Sequence, residues 1–283
     1  MIVHPLFENR TVAIVSKHQK ERAILPVFKA LLGCEMTVLD GFDTDKFGTF
    51  SGKIDRLKNP MDTIKDKCIA GLDNWDWELG VASEGSFGPH PFIPFITANE
   101  EWMILIDRKN GIEILERSIS TKTNFNQEEI GHLGNLFGFA KRIGFPEHGI
   151  ILKDAVENAT HFVDRMDTIE ALIEGFYRLK KVSKTVIAET DMRACYNPTR
   201  MAHIEELSRQ LARSIKSECP QCQFPGFKVQ HVISGLPCKF CETPTRKALK
   251  HIQECKRCGY LHTISYPAGI RCADPGDCDR CNP

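Results

Sequence analysis

Four cysteine pairs carry the clearest chemistry in this chain. Cys219/Cys222, Cys238/Cys241, Cys255/Cys258 and Cys278/Cys281 each read C-x-x-C. Fifteen residues separate the first two pairs and nineteen the last two, the spacing of zinc ribbons. Zn²⁺ takes four soft ligands tetrahedrally, and one knuckle offers it two thiolates, so four pairs make two closed sites. A full thiolate set leaves no position for water, so the expected zincs are structural. Sequential and crossed pairing use the same ligands, and spacing leaves both open. Two separate four-thiolate sets do not fit the clustered spacing of ferredoxin-type iron–sulfur sites. Cys272 is left over, with His231, His251 and His262 nearby.

A second set of residues is spread over the first two-thirds of the chain. Asp191, Arg193 and Arg200 crowd a turn between an apolar run and a helix whose start is marked by Asn197 and Pro198. Free N–H groups at a helix start attract anions, so the turn reads as a phosphate or nucleotide site; local ion pairs at a capped helix are the plainer alternative. Lys17, His18 and Lys20 follow the first apolar run, where Ser16 and Gln19 form a capping pattern. Positive charge in a first helical turn opposes the helix dipole, and an anionic ligand would explain it. Glu84 ends another apolar run and shares a glycine-rich segment with His90. Asp45 lies in a Gly/Phe/Asp/Lys segment, 41–52, that reads as a functional loop.

The bulk composition narrows the class. The chain has 283 residues, 42% hydrophobic and 26% charged, long enough for one large domain and a small one. Thirty-seven basic side chains balance thirty-seven acidic ones, so nucleic-acid binding would need a local patch. No leader pattern or long apolar run occurs, and the expected setting is soluble and cytoplasmic, without a membrane. Nine of the twelve cysteines fall between Cys219 and Cys281, which in that setting means metal rather than disulfides.

The elements that must position these residues follow from periodicity. Strands are predicted at Thr11–Val15, Glu35–Leu39, Trp77–Ser83, Ile150–Leu152 and Thr185–Ala188. The Ser83–His90 segment is expected to be a loop. An Asn110-Gly111 turn predicts a hairpin between Trp102–Asp107 and Gly111–Arg117. Helices are predicted from Ser16 to Gly33, from Pro60, from an Asn126 cap through Ile143 with Phe137 inside, from an Asp167 cap through Leu179, and from Pro198. The alternation predicts an α/β domain with a mixed sheet flanked by helices over 1–216, and a double zinc-ribbon module over 217–283. The module has few large apolar side chains and needs its metals to fold.

Two resemblances enter with specific motifs. Thr44–Phe50, Ala82–His90, Glu189–Ala194, Asn197–Met201 and the terminal Cys278–Pro283 together resemble a bacterial family known as a domain of unknown function (number 6671). That resemblance implies a bacterial protein and no particular activity. Ser16–Lys20, Ser83-Glu84-Gly85, the hairpin and the Arg193/Arg200 turn are similar in order to parts of inosine/xanthosine triphosphate pyrophosphatases and their Maf-like relatives, which implies nucleotide hydrolysis.

The reading that unites these residues is a metal-dependent phosphohydrolase of a nucleotide or similar phosphate ester. Lys17, Lys20, Arg193 and Arg200 would neutralise phosphates. Glu84, with Asp45 or Asp191, would hold Mg²⁺, and Glu84 or His90 would act as base. The other reading is non-enzymatic: a zinc ribbon that binds nucleic acid or protein. Lys239, Arg246, Lys247, Lys250, Lys256 and Arg257 would supply charge there, and Phe240 and Tyr260 would stack on bases.

Overall fold

Thr11–Val15 (β1) is buried along four of its five residues, as its unbroken apolar run requires. The computed structural model describes residues 4–39, 59–154 and 162–283. The 41–52 segment, with Asp45, lies outside the described residues. The chain divides into two compact units, Met1–Ala212 and Arg213–Pro283.

After β1 comes Glu21–Leu32 (α1), closed by Gly33 in the left-handed conformation, which glycine adopts without a Cβ clash. The expected cap at Ser16 does not form. His18 and Gln19 both have positive φ, so residues 16–20 make a turn and the helix starts four residues later than its capping pattern suggests. Glu35–Val38 (β2) and Pro60–Asn74 (α2) follow. Asn59 Oδ1 caps α2 by accepting from Asp62 N at 2.9 Å.

Leu79–His90 (β3), Ile93–Asp107 (β4) and Ile112–Ser120 (β5) complete a five-stranded sheet of order β2-β1-β3-β4-β5. β1 runs parallel to both neighbours, while β3, β4 and β5 are antiparallel, so the sheet is mixed. The Ser83–His90 segment is therefore strand and not the expected loop. Gly85, Gly88 and Pro89 are tolerated because β4 pairs the segment as far as the tip. Ile64, Cys68 and Leu72 of α2 pack on Ala13, Ala82, Ile104 and Ile106 to form the core on one face.

A second sheet has order β6-β9-β7-β8 and is antiparallel throughout. Its strands are Gln127–Ile130 (β6), Ile150–Asp154 (β7), Phe162–Met166 (β8) and Val186–Thr190 (β9). Leu133–Ile143 (α3) and Ile169–Lys180 (α4) supply its core through Leu136, Phe139, Ile143, Leu172 and Phe176. Two helix starts move as a result. Residues 127–130 pair with β9 instead of opening a helix at Asn126, so α3 begins at Leu133 and leaves Phe137 exposed. Thr168, not Asp167, caps α4.

Pro198–Lys216 (α5) begins as its sequence signals: Asn197 Oδ1 accepts from Arg200 N at 2.9 Å. The division between the units falls within α5. In the second unit Lys228–Ser234 (β10), Ala248–Glu254 (β11) and Leu261–Ser265 (β12) form an antiparallel sheet in chain order. Among the described residues no helix is long and apolar enough to cross a membrane.

Candidate functional site

The metal centre is set by four copies of one turn. In each knuckle the first cysteine's carbonyl accepts from the backbone N–H four residues on: Gln223 N to Cys219 O at 2.8 Å, Glu242 N to Cys238 O at 3.0 Å, Gly259 N to Cys255 O at 2.9 Å and Asn282 N to Cys278 O at 2.8 Å. β10, β11 and β12 run between successive knuckles in alternating directions. The first and third knuckles therefore meet at one end of the sheet and the second and fourth at the other. Cys219, Cys222, Cys255 and Cys258 form one group, and Cys238, Cys241, Cys278 and Cys281 form the other.

Their geometry fits zinc. Across the first group the Sγ–Sγ separations are 3.7 Å for Cys219–Cys258 and 3.5 Å for Cys222–Cys255. In the second they are 3.9 Å for Cys238–Cys281 and 3.6 Å for Cys241–Cys278. Zn–S bonds of about 2.3 Å in a tetrahedron place sulfurs roughly 3.8 Å apart, whereas a disulfide would bring them to about 2.05 Å. Each group could hold one metal ion, and the four-thiolate chemistry is that of zinc. Cys272 belongs to neither group and is exposed. Around the first group Phe227 packs with Cys219 and Cys255, and its ring lies 5.9 Å from that of Tyr260.

The first unit holds a different constellation. β1 pairs with β3 as far as Val15↔Ala82, so Ser83 is the first β3 residue beyond the end of β1. There the Ser83 carbonyl accepts from two ammonium groups, Lys67 Nζ at 3.1 Å and Lys20 Nζ at 3.3 Å. Lys67 Nζ also lies 3.3 Å from Glu84 Oε2. On the other face of β3, Glu101 stands opposite Gly85 in the ladder. Its Oε1 accepts from Arg200 Nε at 2.7 Å, and Arg200 Nη1 donates to Met192 O at 2.6 Å. A Cβ at position 85 would overlap both the Glu101 carboxylate and the Arg200 guanidinium, so only glycine fits there. The Arg200 guanidinium also lies 5.0 Å over the Phe87 ring.

Lys20, Lys67, Glu84, Glu101 and Arg200 are all buried. Among the described residues this cluster sets Lys20, Lys67 and Arg200 against Glu84 and Glu101 where β3 runs past the end of β1. Burial pulls the Lys20 amine down from 10.5 to about 7; Arg200 and Lys67 push the same way, against Glu101 and Glu84. The Ser83 hydroxyl in this cluster is buried with no hydrogen-bond partner. The carboxyl ends of parallel strands are where open α/β sheets place their ligands.

The sequence-selected residues are brought together only in part. Lys20 and Glu84 join the cluster, as does Arg200, but Arg200 is fully buried on Glu101. Lys17 lies in the turn after β1, where its carbonyl accepts from Ser16 Oγ. His90 ends β3, six residues beyond Glu84 and so roughly 20 Å along the strand, where its Nδ1 accepts from Phe92 N. Asp191 and Arg193 pair with each other, Arg193 Nε donating to both carboxylate oxygens at 3.0 Å, and the guanidinium stacks 4.8 Å over Tyr196. Among the described residues neither Glu84 nor Asp191 belongs to a group of metal-ligating side chains, so the expected magnesium site is unsupported; Glu84 pairs with Lys67 and Asp191 with Arg193.

Motif spacing does not single out Lys67 and Glu101, though each leaves a signal in the sequence. Lys67 occupies an inward position of α2 between Ile64 and Cys68, where a lysine has no packing role. Glu101 takes an inward position of a strand whose alternate residues Met103 and Leu105 are core.

A protein family matches residues 67–283, about three-quarters of the chain. The chain belongs to the family described as domain of unknown function DUF6671. Both metal groups and all five members of the charged cluster except Lys20 fall inside the matched span. No curated protein and no solved structure matches the chain. The likeness to inosine/xanthosine triphosphate pyrophosphatases is accordingly unsupported.

Proposed function

We propose that the Met1–Ala212 unit of this DUF6671 protein is a phosphohydrolase acting on a nucleotide or a similar phosphate ester, with a zinc-stapled C-terminal unit. The observation that carries this reading is the convergence of Lys20 and Lys67 on the Ser83 carbonyl beside Glu84, at the carboxyl end of β1. Among the described residues Lys20, Lys67 and Arg200 face Glu84 and Glu101, and two ammonium groups turned on one neutral carbonyl form a place where a phosphate oxygen would be held. A phosphoryl group would take the two ammoniums from the carbonyl and use the unpartnered Ser83 hydroxyl. Glu84, released from Lys67, would then orient and deprotonate the attacking water. The reading needs no magnesium, because the lysines supply the positive charge.

The test is phosphate release from a panel of nucleotides and sugar phosphates by the zinc-loaded protein, with and without Mg²⁺. Glu84→Gln should lower kcat/KM by about 10²–10⁴ and leave zinc content unchanged. A panel with no turnover, together with no binding of inorganic phosphate, would reject the proposal.

One observation favours the non-enzymatic reading. Val232, His251, Gln253, His262 and Ile264 share one face of the zinc unit's sheet, none carries a fixed charge, and no residue of the three strands is buried. Such a face could receive unstacked bases. Charge counts against it. From Arg213 on there are eleven basic and six acidic residues, and two four-thiolate zinc sites remove four of the five excess positive charges. Salt-sensitive binding of single-stranded RNA that His251→Asp abolishes would establish this reading; no binding would dismiss it.

A further inference from the structure

β3 and β4 outrun the rest of their sheet. β5 pairs β4 only from Asn99 to Asp107, so among the described strands Gly88–Ala98 is a two-stranded arm. From Gly85 to Asn99 the sequence holds no Asp, Glu, Lys or Arg. At the tip Phe92 is 79% exposed and Phe95 89%, with Ile93 and Ile96 each at 37%. An isolated two-stranded ribbon is marginally stable in water, and large apolar side chains clustered at its tip mark a contact surface.

We infer that this tip is a dimerisation surface, and that its occupant is the same arm of a second copy of the chain. Area supports this occupant. A phenylalanine has about 200 Å² to bury, so at these exposures Phe92 and Phe95 offer roughly 650–700 Å² over two copies. Ile93, Ile96 and the arm backbone carry the total toward the ~1,000 Å² of a specific interface. A two-fold contact also needs only one self-complementary patch, and a tip without fixed charge meets its own copy without repulsion.

Two other occupants fit less well. Pro89, Pro91 and Pro94 remove backbone donors from the arm, so a foreign strand could not add along it. The nearest fixed charges on the ribbon are Glu84, Glu100 and Glu101, each paired with its own cation, which leaves no basic excess for anionic lipid headgroups.

Sedimentation velocity on the full-length zinc-loaded protein, over a concentration series, tests the inference. The wild type should form a dimer. Phe92→Ser/Phe95→Ser should weaken it by roughly tenfold or more, while Phe92→Leu/Phe95→Leu keeps it. Both variants lie at an exposed tip and should retain zinc content and circular dichroism. A wild type that stays monomeric at its highest soluble concentration overturns the inference. So does a dimer equally tight in the Ser/Ser variant, or a monomeric wild type captured by phosphatidylcholine vesicles.

Discussion

Arg200 and Glu101 form an ion pair with no exposure on either side chain, Nε to Oε1 at 2.7 Å. The pair joins the start of α5 to the centre of the β3–β4 ribbon, and Arg200 spends a further donor on Met192 O. Breaking a buried pair from one side leaves an uncompensated charge. Glu101→Gln should therefore destabilise the first unit by about 3–5 kcal/mol, and adding Arg200→Met should recover a large part of that loss. Urea unfolding followed by tryptophan fluorescence reads this directly, since Trp75, Trp77 and Trp102 all lie in the first unit.

Gly85 is the position that lets the pair lie against the strand. Gly85→Ala forces the carboxylate and guanidinium aside and should cost about 1–3 kcal/mol. Gly88 meets nothing within 4 Å, so Gly88→Ala is the control, expected to change the same fluorescence midpoint little. Equal effects of the two substitutions would mean that the pair does not press on position 85.

Lys20 gives a pH signature. Its amine falls from 10.5 to about 7 through burial, with Arg200 and Lys67 adding to the shift and Glu101 and Glu84 opposing it. Between those values the unfolded chain binds more protons than the folded one, so the Lys20 contribution rises with pH across the window and is least favourable below pH 7. Lys20→Met should therefore stabilise the first unit most below pH 7, with the difference from wild type shrinking toward pH 10. Thermal unfolding at several pH values measures this. A difference independent of pH would show that the amine is not desolvated.

The crossed pairing of the knuckles predicts zinc stoichiometry. Cys219→Ser/Cys255→Ser damages one site and should leave about one zinc per chain. Cys219→Ser/Cys238→Ser damages both and should leave none. Sequential pairing would reverse the two results, so metal analysis of the purified variants separates the arrangements.

Cys34 and Cys68 should be inert. Burial pushes both thiols up to about 12, away from the thiolate form that reacts. In native zinc-loaded protein a thiol reagent should modify Cys272, which is exposed, well before either of them.

Local chemistry was legible where a few neighbouring residues decide the outcome. The eight thiolates were readable because a C-x-x-C turn is complete within five residues. Asn197, Asn59 and Gly33 marked helix ends because a cap is also a local bond. Residues 127–130 are not legible locally as a strand because they pair with Val186–Glu189, about 60 residues away, whose ladder outweighs the capping pattern. Sequence proximity groups His90 with Glu84, yet a strand rises about 3.3 Å per residue and carries neighbours apart.

The sequence by itself determined which eight residues could hold metal; tertiary structure alone decided which four could share an ion. Strands of seven residues span roughly 23 Å, so knuckles adjacent in sequence lie at opposite ends of the sheet, and antiparallel pairing returns the third to the first and the fourth to the second. In the same way Lys20, Lys67 and Ser83 come from a turn, a helix and a strand spread over 64 residues. Only the point where β1 stops and β3 continues brings two ammonium groups to one carbonyl.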